Sequence, residues 1–243
     1  DPSLVVRVET VEGQILRLTA DHRIQRVTKR NRSVVEREWC AAGELRPGDE
    51  MVLNDHRARS KWEGEFNLDL GSEVGLAIAE GKLREEVAAQ YRRGVHAVAG
   101  RVESGLRLAP VKDFARKLGL EEGEKAITPA MERASSDFSV GVLQGLFECD
   151  GSVQGHHEKG VSVRLTHSDL DLLRAAQRML LRHGIASAIH VNHRLPQQDL
   201  VIADDNLLRF RDVIGFTDSD MAVRLETHLS TYGRALNRER FTA

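Results

Sequence analysis

Two short stretches constrain the fold more than any other feature, "SEVGLAIAEGKL" (72–83) and "FSVGVLQGLFECDGSV" (138–153). In the second, Val142, Leu143, Leu146 and Phe147 have the one-face spacing of a packed helix. Gly141 and Gly145 there, like Gly75 and Ala79 in the first stretch, are small residues one helical turn apart on one face. Such pairs let two helix backbones approach closely. Both stretches end in acid-glycine, Glu80-Gly81 and Asp150-Gly151, with the glycine where a helix stop is expected. A carboxylate at the carbonyl end of a helix is unfavourable by about 0.3–1 kcal/mol unless a cation compensates it. If the two helices pack on each other, both acids arrive at the same end.

The rest of the chain arranges itself around this weak repeat. Residues 1–57 carry the alternating stretches "LVVRVET", "QILRLTA" and "RSVVEREW", then a Pro47-Gly48-Asp49 turn before a short strand at Met51–Leu53, which predicts a mainly antiparallel β module. Residues 58–71 show no clear period and read as a linker. From Ser72 the pattern changes to helices alternating with hairpins, giving a domain over 72–243 with repeats at 72–136 and 137–235. In the second repeat, hairpins are predicted at 152–167, turning at Glu158-Lys159-Gly160, and at 185–203, turning near Pro196. Between them "SDLDLLRAAQRMLLRHG" is a helix with Ser168 as its N-cap, an apolar stripe of Leu172, Leu173, Ala176 and Leu180, and Gly184 as its stop. "DNLLRFRDVIG" and "DSDMAVRLETHLSTYG" are further helices. The first repeat, over 82–135, is short and helix-rich. The expected class is α+β.

No apolar run approaches the roughly 20 residues of a membrane span, and "DPSLVVRVET" lacks the profile of a signal peptide. Cys40 and Cys149 occupy dissimilar contexts outside any CxxC pair, so a reduced, cytoplasmic setting is expected. The net charge of -2 neither favours nor excludes nucleic acid, since a DNA-binding face needs a local basic patch.

Two carboxylates converging at helix ends suit a hard divalent cation. Mg²⁺ takes few carboxylates together with water and phosphate oxygens, and metal-assisted phosphodiester hydrolysis is the reaction such a site serves. A nearby lysine would stabilise the charge that develops on the phosphorus oxygens.

"LQGLFECDG" (143–151) resembles the signature helix of the LAGLIDADG homing endonucleases, and "GLAIAEG" (75–81) resembles a more divergent first copy. The resemblance covers 72–235 and extends to the helix, hairpin, helix, hairpin, helix order and to "LLRFRDVIGF". It implies site-specific double-strand cleavage of DNA by a monomer, with Glu80 and Asp150 as catalytic, Mg²⁺-binding acids. The carbonyls of Ala79 and Cys149 would be further ligands, and Lys125, in "EKAITPAM", would match the lysine that precedes the second signature helix. Met221 falls where related sequences often carry a lysine. DNA would lie on the strand faces, since two-stranded ribbons fit a major groove. Gln154, Arg164, His190, Asn192, His193 and Arg194 are placed there.

The N-terminal part resembles the splicing (Hint) module of an intein. In "LRLTADHRI" (16–24), Thr19 and His22 fall on the TxxH signature, and "WCAAGELRPGDEMVL" (39–53) resembles the stretch that follows it. By this resemblance His22 would activate the upstream splice-site peptide bond with Thr19 assisting, and host-protein flanks (exteins) would be partners. An intein begins with Cys or Ser and ends in His-Asn, whereas this sequence opens at Asp1 and closes "RERFTA". The expectation is therefore a fragment of a longer precursor or a splicing-dead relic. A cleavage-deficient DNA-binding relic and a splicing-only protein stay open beside the endonuclease.

Overall fold

A computed structural model describes residues 5–31, 34–54, 56–57, 60–80, 117–119, 125–156, 160–191 and 196–231. Most of the first repeat, residues 157–159, where a turn is predicted, and residues 192–195 lie outside these.

At the N-terminus, β1 (Val5–Glu9) and β2 (Ile15–Thr19) form an antiparallel ribbon. β3 (Arg23–Arg30), β4 (Val35–Ala41) and β5 (Glu50–Met51) form a sheet in the order β4-β3-β5. β3, "RIQRVTKR", lacks the apolar alternation that announces a strand. Backbone pairing with β4 and β5 holds it, and charged side chains along it form ion pairs: Arg26 with Glu38 and with Asp49, Lys29 with Glu36, and Arg30 with Glu50. The small core beneath is Ile24, Ala42 and Met51, with Val8, Leu18 and Leu45 packed against it.

The stretch expected to be a linker is a strap. Ser136 N donates to the Trp62 carbonyl (2.9 Å) and Trp62 N to Ser136 Oγ (2.9 Å), while Ser135 Oγ donates to the Phe66 carbonyl. The Arg182 guanidinium stacks 3.8 Å from the Trp62 ring centroid and donates to the carbonyls of Glu132 and Ala134. Helix α1 (Leu68–Glu80) begins within the predicted linker span of 58–71, and Asn67 Oδ1 accepts from Leu70 N at its start.

After α2 (Pro129–Arg133) come α3 (Ser136–Asp150), β6 (Gly151–His156), β7 (Gly160–His167), α4 (Leu170–Arg182), β8 (Ala188–His190), β9 (Gln198–Ala203), α5 (Asn206–Val213) and α6 (Ser219–Thr231). The four strands form an antiparallel sheet in the order β6-β7-β9-β8. Val153, Val161, Val163, Leu165, Ile189, Leu200 and Ile202 point to one face and join the helices in the main core, with Phe138, Phe147 and Phe210 fully buried among them.

One cap differs from expectation, and Gly151 stands just past the end of α3 as expected. Asp169, not Ser168, closes the start of α4, its carboxylate accepting from Asp171 N and Leu172 N; adjacent cap-forming residues leave the choice to the chain path. Gly151 has φ -84°, so α3 passes directly into β6 without a left-handed cap, and the glycine is needed because a Cβ there would collide with the Phe147 carbonyl. Gly184 does adopt φ +74° after α4, with Ile185 N donating back to the Leu180 carbonyl.

The ribbon is docked on the second repeat. Its turn places the Glu12 carbonyl where Ile189 N (2.9 Å) and Gln177 Nε2 (2.8 Å) both donate to it.

Candidate active site

α1 and α3 touch backbone to backbone. A Cβ built on Gly71, Gly75, Gly141 or Gly145 would fall inside contact distance of the carbonyl oxygen of Phe138, Val142, Leu68 or Ser72 respectively. The quartet that allows this is thus Gly71, Gly75, Gly141 and Gly145. Ala79, expected as the partner of Gly75, is half-buried beyond the close contact, and Gly71 takes its place one turn earlier.

This crossing sends the C-termini of both helices to one end of the domain. Glu80 is exposed and Asp150 is half-buried. Burial pushes the Asp150 carboxyl above the usual carboxylate range, opposed by the positive influence of His167 and Lys125. Burial likewise raises the Cys149 thiol, assisted by the negative charges of Glu80, Asp150 and Glu148. Both acids therefore act electrostatically on the last turn of α3. Lys125 Nζ lies 3.4 Å from the Ala79 carbonyl oxygen, a long contact that leaves the amine close to both helix ends.

His167 was missed in the sequence, although a signal existed. Val161, Val163 and Leu165 form the inward series of β7, and His167 continues it at the end nearest α3. Its Nδ1 accepts from Asp169 N at 2.9 Å, so a neutral ring carries its proton on Nε2.

The donor set fits a hard cation, because two carboxylates and carbonyl oxygens are the ligands Mg²⁺ takes. Among the described residues no three His, Cys, Asp or Glu side chains gather into a metal-holding group. A cation here would rest on Glu80, Asp150, backbone oxygens and water. Met221 is half-buried against the main core, so its side chain is spent on packing.

The sheet face away from the core carries Ser152, Gln154, Ser162, Arg164, Thr166, Ala188, His190, Asp199, Val201 and Ala203, by alternation with the buried residues. Gln154 and His190 are exposed. Arg164 is ion-paired with Asp199 (3.1 Å), a residue sequence reasoning passed over. Asn192, His193 and Arg194 lie outside the described residues.

Thr19 ends β2 and His22 stands in the turn before β3, both exposed. His22 N donates to the Thr19 carbonyl (3.0 Å). The Thr19 hydroxyl holds the Asp21 carboxyl below the usual range, so Asp21 joins this pair.

Residues 137–215, about a third of the chain, match the model of the LAGLIDADG-like domain family. The solved structures include mesophilic variants of the homing endonuclease I-DmoI, 15% identical, covering 67% of this chain and 100% of that one with a TM-score of 0.41. Among curated proteins the chain is similar to the ribonucleoside-diphosphate reductase NrdEB subunit alpha of Bacillus subtilis, 28% identical over 88 residues. The corresponding subunit of Bacillus phage SPbeta matches to the same degree. These matches cover 35% of this chain, which spans 8% of the length of those curated relatives.

Proposed function

We propose that the protein is a site-specific DNA endonuclease that makes a double-strand break by Mg²⁺-assisted phosphodiester hydrolysis. The observation that carries this is the glycine-mediated crossing of α1 and α3, which sends Glu80 and Asp150 to one end of a domain that matches the LAGLIDADG-like family over 137–215. Glu80 and Asp150 would hold Mg²⁺ with the carbonyls of Ala79 and Cys149. The ion, when bound, would supply Lewis acidity and a water of lowered pKa. Lys125 would place its ammonium against a phosphate oxygen as negative charge builds there, and His167 would orient a water through its Nε2 proton. Gln154, Arg164, His190, Asn192, His193 and Arg194 would face double-stranded DNA.

Residues 1–57 we assign to part of a splicing module, with Thr19 and His22 as its reactive positions and exteins as its partners. The likeness to reductase alpha subunits supports a ribonucleotide reductase as the host protein.

Incubation with plasmid carrying an uninterrupted reductase gene and Mg²⁺ is expected to yield linear DNA. Asp150→Asn and Glu80→Gln should abolish cutting while gel-shift affinity stays within a few-fold. Absence of cutting, or equal cutting by both variants, defeats the proposal. The packed Met221 favours one alternative, a DNA-binding relic, which would bind equally in EDTA and Mg²⁺ and never nick.

A further inference from the structure

On the outer face of the four-stranded sheet, Arg164 stands over small neighbours. Ser152 and Val201 are its register partners on either side, and Ser162 precedes it on β7. Its guanidinium is held from two directions: Nη1 donates to Asp199 Oδ2 at 3.1 Å and Nε to Ser162 Oγ at 3.3 Å. Asp199 is the diagonal neighbour on β9, within reach of a long side chain, and its other oxygen accepts from Thr166 Oγ1 at 2.7 Å. Arg164 and Asp199 belong to the two inner strands and are about one-third exposed, 34% and 31%. Among the described residues, nothing engages Arg164 Nη2.

This is the arrangement of a preset donor. A free arginine side chain must lose several rotamers when it contacts a base, whereas a planar fork already held loses less per hydrogen bond formed. Asp199, accepting from Thr166 and Arg164 together, has its carboxylate committed within the sheet, and Arg164 keeps its remaining N–H donors. Guanine presents two adjacent acceptors, O6 and N7, in the major groove; adenine presents one acceptor beside a donor, and cytosine a donor. Two N–H groups of one fork match guanine alone.

We propose that Arg164 reads one guanine of the target site through the major groove, and that Asp199, supported by Thr166, is the positioning residue that fixes Arg164 for it. This rests on the endonuclease reading in taking DNA as the ligand, and adds a base identity and a residue that sets it. A bidentate arginine–guanine pair discriminates by about 1–3 kcal/mol, or roughly 5- to 150-fold.

The test is selection from a pool of randomised duplexes bound in EDTA, sequenced for the wild type, Arg164→Gln, Asp199→Ala and Asp199→Asn. Circular dichroism melts would check that each variant folds. The wild type should enrich guanine at one position at least about 5-fold over any other base. Arg164→Gln should lose that preference and leave the other positions unchanged. Asp199→Ala should weaken it at the same position, and Asp199→Asn, which keeps an acceptor for Arg164, should restore part of it. If the wild type enriches a site that Arg164→Gln leaves unaltered, the inference falls and DNA recognition stands. If Asp199→Ala lowers affinity evenly at all positions, Asp199 is merely structural and its positioning role falls. If the wild type enriches no sequence, the endonuclease reading falls with the inference.

Discussion

Replacing Gly75 or Gly145 by alanine tests the backbone contact that positions the two acids. In an ordinary helix the change would stabilise by up to about 1 kcal/mol. Here the added Cβ of either residue would meet a carbonyl oxygen of the opposing helix below 3.0 Å, and a main-chain carbonyl cannot rotate aside as a flexible side chain can. The helices must separate. Overpacking of a tight interior costs about 1–3 kcal/mol. A gap of 0.5–1 Å also forfeits a quarter to a half of each dispersion contact, here among Val74, Ala77, Ile78, Val142, Leu143 and Leu146, all buried. The net expectation is a loss of about 3 kcal/mol for either substitution, or roughly 6–12 °C in Tm for a chain of this size. The two sites are coupled, since a Cβ on Gly75 would also lie 3.1 Å from Gly145 Cα. Once one alanine has parted the helices, the second enters space already opened, so the double variant should lose about 3–4 kcal/mol and not the sum. Urea denaturation at pH 7 on the wild type, both singles and the double measures the cycle. A single variant within about 1 kcal/mol of wild type, or strict additivity, would refute the argument from helix contact.

Three further outcomes follow from individual residues. His183 is buried with Nε2 3.0 Å from Ser139 Oγ, and burial, then Arg182, Arg209 and Lys61, lower its pKa to about 4 against the pull of Asp137. The unfolded chain takes this proton near pH 6.5 and the folded chain resists it, so up to about 3 kcal/mol of stability should disappear between pH 6.5 and 4; denaturation of His183→Gln across that window should show a much shallower slope. Asp150 has the opposite linkage. Its raised carboxyl pKa disfavours the charged native form, so Asp150→Asn should melt higher than wild type at pH 7, with the gap closing as acid protonates the wild-type carboxyl. Trp62→Ala removes the ring under Arg182 and should cost about 1–2 kcal/mol, and Trp62→Phe should recover part of it in the same thermal melt.

Legibility in the sequence depended on how local each cause is. The helix α3, its glycines and its terminal acid were readable because periodicity and spacing within one turn encode them. The partner helix was readable in outline, yet Gly71 was lost inside a supposed linker because "NLDLG" carries too little of a helical period. β3 was invisible to hydrophobic alternation, since many of its side chains are charged and pair with β4, β5 and Asp49. The strap at Trp62 and the docking of Glu12 against Ile189 and Gln177 are contacts between residues more than 70 positions apart in sequence, which no local pattern announces. In the candidate site, Asp150 and Glu80 followed from repetition. His167 required reading one step past an apolar strand series, and Asp199 required knowing that β9 lies beside β7 while β8 takes the edge.

The position of Lys125 bears on both acids. By its place in the sequence Lys125 belongs to the first repeat, with Glu80. Its Nζ approaches the last turn of α1 at Ala79, beside Glu80, and its charge also acts on Asp150 at the end of α3. That is possible because glycines bring the two helix ends within the reach of one side chain. The same closeness makes the carboxylates hard to neutralise from within, since each sits on the negative end of a helix and Asp150 is half-buried as well. Lys125 and His167 offset part of that charge at Asp150. Glu80 is exposed where Asp150 is half-buried, so the two acids share a location and differ in environment. A cation shared between them would be held asymmetrically, by a desolvated carboxylate on one side and a hydrated one on the other, with the interval between α1 and α3 set by main-chain contact and not by adjustable side chains.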